Sequence, residues 1–219
     1  LKPGYRVLFH GPPGTGKTLT ATLLGKYTGR IVFRIDLSTM VSKYIGETEK
    51  NLAGLFDKAH NKDWILFFDE ADSLFGKRTN VKDAHDRYAN QEVSYLLQRV
   101  EDFNGLVILA SNFKSNIDEA FLRRFNAIIP FPFPNKVERE AIWRVSLPPK
   151  IKFECDLDLP KLLSAFELTG GNIINVVQYS CIQAVAQGAD RPSLDDALKG
   201  IQRETEKEGK VFRNLLENK

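Results

Sequence analysis

The chain has 219 residues, 42% of them apolar and 27% charged, with 31 Lys and Arg against 28 Asp and Glu for a net charge of +3. That apolar share excludes a disordered chain, and a charge excess so small and so interleaved gives no independent argument for nucleic acid. The longest apolar runs are about five residues, 64–68 and 106–110, against the roughly 20 that a membrane-spanning helix needs. No N-terminal stretch reads as a signal peptide. Cys155 and Cys181 are too few for a disulfide framework, which favours a reducing, cytoplasmic setting. The chain opens on Leu1 and its single Met is Met40, so a piece of a longer protein is expected.

In chain order, the first apolar run, 6–10, reads as a buried strand and leads into Gly11-Pro12-Pro13-Gly14-Thr15-Gly16-Lys17-Thr18. This fits G-x-x-x-x-G-K-[ST], with a helical segment starting at Leu19 behind it. Glycines let the backbone wrap closely and aim its N–H groups inward at anionic oxygens, and the helix adds the positive end of its dipole. Residues Gly11 to Leu19 are thus the expected phosphate cradle. Lys17 reaches the β- and γ-phosphates and the Thr18 hydroxyl ligates Mg²⁺.

Further strands are expected at 31–36, 64–69, 106–111 and 127–131, with helical periodicity over 47–60 and 86–100. Continuous apolar strands alternating with helices imply an α/β fold, a five-stranded parallel sheet covered on both faces. The third strand ends in Asp69-Glu70, where Asp69 is expected to hold Mg²⁺ through water and Glu70 to polarise the attacking water as general base. Beyond Phe131-Pro132-Phe133-Pro134 nothing alternates like a strand. Helices are expected at 136–145, 159–166, 172–187 and 194–206, with Pro160 in the first turn of the second and a Ser193/Asp196 capping box on the last. The expected division is a nucleotide-binding α/β domain over 1–134, an all-helical lid over 135–208 and a charged tail over 209–219. His10, His60 and His85 have no ligand-like spacing with the cysteines, so a zinc site is not expected.

With Asp69-Glu70-Ala71-Asp72 and the elements after it, the loop at 11–18 resembles the AAA+ ATPases, and nearest the AAA clade of protein-remodelling motors. The likeness covers nearly the whole chain. It implies ATP and Mg²⁺ as cofactors and a sensor role for Asn112, between γ-phosphate and Glu70. It also implies that Arg123 and Arg124 are fingers acting on a neighbouring subunit, hence a homo-oligomeric ring, by family habit a hexamer. Lys43, Tyr44 and Ile45 resemble the first pore loop, which grips a protein substrate, and the insert over 76–87 stands where a second would be. The lid lacks the sensor 2 arginine of many relatives, the matching position being Ile174. Short stretches at 86–90 and 121–125 resemble bacterial members.

The reading that follows is an ATP-hydrolysing ring that remodels or threads protein substrates. A nucleotide-gated scaffold with slow hydrolysis is the alternative. A nucleic-acid motor is disfavoured, because Lys43, Lys77, Arg78 and Lys82 form no wider basic stripe.

Overall fold

The computed structural model describes residues 4–37, 47–72, 94–112, 122–147, 153 and 158–216. Five strands, β1 (Tyr5–His10), β2 (Val32–Asp36), β3 (Ile65–Asp69), β4 (Leu106–Ser111) and β5 (Ala127–Pro130), form one sheet in the order β2-β3-β4-β1-β5. Every pairing is parallel. Helices α1 (Lys17–Thr28) and α2 (Glu47–Lys62) supply crossovers, and residues 94–102 are helical before β4. This is the α/β class the apolar runs imply, with strand ends within two residues of those expected.

The alternation of side chains along the strands divides the core in two. Val7, Phe9, Ile65, Phe67, Ile108 and Ala110 point to one face, where Ala21 and Leu24 of α1 cover them. Leu8, Leu66, Phe68, Val107 and Leu109 point to the other, under Leu52, Phe56 and Ala59 of α2 with Leu96 and Val100. β3 is buried along its whole length, which is why it carries no polar residue before its last. β5 lies at a sheet edge, where Pro130, lacking an N–H, is tolerated.

Contact density divides the chain into two compact units. The first comprises 1–12 and 17–131, the second 13–16 and 132–219. The second is helical, with α3 (Lys136–Ser146), α4 (Leu159–Leu163), α5 (Gly170–Ala186) and α6 (Leu194–Lys207). Three of these start with reciprocal capping boxes, Asn135/Glu138, Thr169/Asn172 and Ser193/Asp196. Each box satisfies two backbone N–H groups that the helix leaves open, and such caps contribute about 1 kcal/mol apiece. Asp158 caps α4, with Pro160 in its first turn. Trp143, Ile173, Val176, Ala197 and Ile201 are fully buried at the centre of the unit.

Two polar groups tie these helices together. The Arg139 guanidinium, buried at the start of α3, donates to the carbonyls of Ser164 (3.0 Å) and Pro134 (2.7 Å). Glu204 of α6 accepts from the amides of Asn172 and Asn175 (3.0 Å each) and from Lys207. The segment after α6 is more than a charged tail. Phe212 stacks on Phe166 at 6.1 Å, and Leu216 packs against the same core.

Burial acts to raise the Glu204 pKa, but the hydrogen bonds from Asn175, Lys207 and Asn172 outweigh it, leaving the carboxyl below its ordinary 4.5. A depressed carboxylate stabilises the fold above its unfolded pKa, and that contribution is lost as pH falls through the folded one. Thermal melts should therefore lose stability as pH drops below 4.5. Glu204→Gln should start less stable at neutral pH and lose less on acidification. Parallel acid profiles for the two proteins would remove Glu204 from the account.

Candidate nucleotide-binding site

Because the sheet is parallel, the C-terminal ends of its strands share one edge, and Gly11, Lys17, Thr18, Asp69, Glu70 and Asn112 collect there. The register β1·β4 pairs His10 with Ser111, so Gly11 and Asn112 emerge side by side. Gly11 donates its N–H to the Ser111 carbonyl at 3.2 Å. A side chain at Gly11 would put its Cβ 2.0 Å from the Phe131 carbonyl oxygen, so only glycine lets the loop leave the sheet here. Gly16 has φ +98°, a left-handed conformation that restores the helical direction just before α1.

Lys17, the first residue of α1, is 7% exposed. Its ammonium donates to the carbonyls of Gly11 (2.6 Å) and Pro12 (2.9 Å) and to Oδ1 of Asn112 (3.1 Å). Burial lowers its pKa, while the negative charges of Asp69 and Asp72 pull it back up. The cation is thus held among oxygens where an anionic ligand would replace them. The second unit holds the loop tip. There Gly171 donates its N–H to the Gly14 carbonyl at 2.9 Å, with Thr169 against the Gly14 Cα.

The Thr18 hydroxyl donates to Oδ2 of Asp69 at 3.2 Å, joining the two expected metal ligands directly. Oδ1 of Asp69 accepts the N–H of Glu70 at 3.0 Å. Glu70 has φ +54°, uncommon for a residue with a side chain, and the sharp turn leaves Glu70 exposed while Ala71 is buried. Ala71 then donates to the Ala110 carbonyl at 2.9 Å. Among the described residues no three His, Cys, Asp or Glu cluster as a metal cage. One hydroxyl and one carboxylate is the sparse protein share that Mg²⁺ takes when phosphate oxygens and water complete its octahedron. The residues present fit ATP with Mg²⁺.

Two partners of this site escape the sequence reading. Asp72 accepts the Ser111 hydroxyl and, through both oxygens, the N–H of Asn112 at 3.0 and 2.9 Å. It thereby fixes the backbone that aims Asn112 at Lys17. An acid at this place is visible in Asp69-Glu70-Ala71-Asp72, but only the β3–β4 adjacency shows what it holds. The other partner is Arg34 of β2, whose guanidinium lies 2.8 Å from Oδ2 of Asp69. No local pattern in the sequence signals that pair.

Arg123 and Arg124 stand apart from the Lys17–Asp69 cluster. They line a cleft with Arg6, Glu101, Phe125 and Asn126. Arg124 pairs with Glu101 at 2.6 Å. Arg123 is exposed and makes no ion pair among the described residues. Pro12, Pro13 and Leu19 are exposed along the loop and first helical turn, and Thr15 is half-buried. Ile174 is exposed on α5. Lys43, Tyr44, Ile45 and the insert over 76–87 lie outside the described residues.

Asp72→Ala removes the acceptor for the Asn112 N–H, a loss worth about 1–3 kcal/mol where the group is buried. The variant should melt lower, and should also bind nucleotide less tightly as Asn112 loses its aim at Lys17. Unchanged melting and unchanged affinity together would show that Asp72 holds nothing of importance.

The family model for the ATPase family associated with various cellular activities (AAA) matches residues 7–133. Two proteasome-activating nucleotidases are similar along most of the chain, at 32% identity over 93% of it for that of Methanopyrus kandleri and 33% over 93% for that of Aeropyrum pernix. The chain spans about half the length of these curated relatives, 48% and 51%. Among solved structures, the FIGL-1 AAA domain in complex with ADP superposes with a TM-score of 0.72, at 24% identity over 90% of this chain and 71% of that one. That likeness speaks to the fold, whereas the family model covers more than half of the sequence and both motifs of the site. The chain belongs to the AAA ATPase family.

Proposed function

We propose that this chain is the ATP-hydrolysing engine of a homo-oligomeric ring, a hexamer, that remodels or threads protein substrates. The observation that carries it is the convergence of a buried ammonium, Lys17, and a hydroxyl–carboxylate pair, Thr18 and Asp69, at one sheet edge. Protein substrates are supported by similarity to proteasome-activating nucleotidases and by the resemblance of Lys43-Tyr44-Ile45 to a pore loop. We assign the ring to the cytoplasm on its sparse cysteines, and among the described residues no helix is long and apolar enough to cross a membrane.

Each residue has a task in this reading. Lys17 exchanges its carbonyl contacts for β- and γ-phosphate oxygens. Gly11, Pro12, Pro13, Gly14, Thr15, Gly16 and Leu19 form the surrounding loop and first turn, whose N–H groups face the phosphates. Thr18 and Asp69, the latter through water, would hold Mg²⁺, which would supply positive charge against the phosphates. Glu70 accepts the proton of the attacking water. Asn112 orients that water from a backbone fixed by Asp72. The main finger is Arg123, because Arg124 is already engaged by Glu101. It reaches the neighbouring subunit's nucleotide and stabilises the charge that builds on the γ-phosphoryl.

The test is ATP turnover per protomer as a function of protein concentration. Turnover should rise with concentration as rings assemble. Glu70→Gln should keep nucleotide affinity and lose about 10²–10⁴-fold in rate, the usual contribution of a general base. Arg123→Ala should lose about 10³-fold or more, and Arg124→Ala less. Turnover independent of concentration and indifferent to Arg123 would overturn the ring with fingers in trans.

Threading has its own readout. Tyr44→Ala should abolish unfolding of a tagged protein substrate while ATP turnover persists. Substrate processing that survives this change would sink the pore-loop assignment whatever the ATPase rate.

A further inference from the structure

Arg34 is the residue around Asp69 that the proposed reaction leaves without a task. It sits on β2, paired in register with Phe67, so it and Asp69 project from the same face of adjacent strands. Its guanidinium reaches the end of β3 and lies 2.8 Å from Oδ2 of Asp69. The same oxygen accepts the Thr18 hydroxyl. Arg34 therefore engages the carboxylate oxygen that, with Thr18, makes up the protein's share of the Mg²⁺ site.

We infer that Arg34 is a positioning residue that competes with the divalent cation for Asp69, and so sets the Mg²⁺ concentration at which the nucleotide complex forms. This rests on the reading of Thr18 and Asp69 as the Mg²⁺ ligands. The physical argument has three steps. The Asp69 side chain is only 13% exposed, so its charge is poorly served by water and needs a fixed partner. The guanidinium is that partner, presenting N–H groups in a rigid fork suited to a carboxylate. A divalent cation held at Oδ2 through its water meets a positive charge already there, and the two cations repel across a partly desolvated site.

Arg34 can yield without damage to the fold. Its own side chain is 60% exposed, so a released guanidinium turns into water. The arrangement thus keeps the Asp69 carboxylate oriented without a cation, at the expense of Mg²⁺ affinity. A guanidinium that merely decorated an edge strand would have no effect on the cation.

The experiment uses the whole chain and a fluorescent N-methylanthraniloyl-ADP probe at equilibrium. ADP affinity is measured in chelator, and then Mg²⁺ is titrated against the chain carrying the probe. Arg34→Gln should leave ADP affinity in chelator unchanged and lower the half-saturating Mg²⁺ concentration about three- to fivefold, the scale of a partly exposed ion pair. Arg34→Lys keeps a charge but loses the fork, and should fall between parent and Gln. If Arg34→Gln melts below the assay temperature, the Lys variant carries the comparison alone.

A Mg²⁺ midpoint that stays put, or moves to higher concentration, overturns the inference. A drop in chelator affinity on Arg34→Gln also overturns it, since Arg34 would then be touching nucleotide. Failure of the parental chain to bind ADP at all, or a Mg²⁺ response that survives Asp69→Asn, would instead break the underlying site assignment. The two failures are therefore distinguishable.

Discussion

A positive charge carried under the end of a parallel sheet is the constraint on which this site depends. An ammonium at 7% exposure is destabilising unless oxygens surround it, and Lys17 has three. Two are carbonyls of the loop itself, which point inward only because glycines let the backbone turn. The third belongs to Asn112, just past the end of β4. That contact exists because β1 and β4 are neighbours in a fixed register, and the register exists because Leu8, Leu66, Val107 and Leu109 fill one side while Val7, Phe9, Ile65 and Ile108 fill the other. A one-residue slip would turn every one of these side chains to the opposite face. It would also carry Asn112 away from Lys17. Core packing and phosphate chemistry are in this sense one specification.

Much of this was legible in the residues alone, for physical reasons that differ by element. β3 and β4 are apolar on both faces, so their runs stand out and can only be interior strands. The loop at 11–18 is legible because glycine spacing, lysine and threonine are each required by a separate contact. Capping boxes are local by nature. Ser193 and Asp196 lie three residues apart and answer each other within one turn, so the sequence displays both partners at once. Pro160 is fixed by the same local logic.

What was not legible is long-range and polar. Arg34 and Asp69 are 35 positions apart, and only strand order makes them neighbours. Asp72 reads as one more acid after β3 until β4 is set beside it, whereupon it becomes the clamp on Asn112. In the helical unit, Glu204 reads as a charge on an amphipathic helix. Its burial against Asn172 and Asn175 depends on how α6 meets α5, where Gly200 lets Val176 come close. Phe212 gives no signal inside a charged tail, because an aromatic residue without periodic neighbours makes no pattern, although it finds Phe166 in three dimensions.

Two adjacent carboxylates illustrate how far position outranks residue type. Asp69 ends a buried strand, and its oxygens accept from Thr18, Arg34 and the N–H of Glu70. So many donors hold the carboxylate in one orientation, which suits the metal-ligand role proposed for it. Glu70 follows directly, but at φ +54° the chain turns out of the strand direction and presents its side chain on the surface of the cleft edge. A non-glycine residue in that conformation costs about 1–2 kcal/mol, and glycine would be relieved of it. On the proposed reading, the strain is retained because glycine has no carboxylate. Exchanging the two residues would bury the longer side chain against Thr18 and leave the shorter one on the turn. The order Asp then Glu therefore follows from the end of β3, where the last strand position is walled by donors and the next is turned out to the surface.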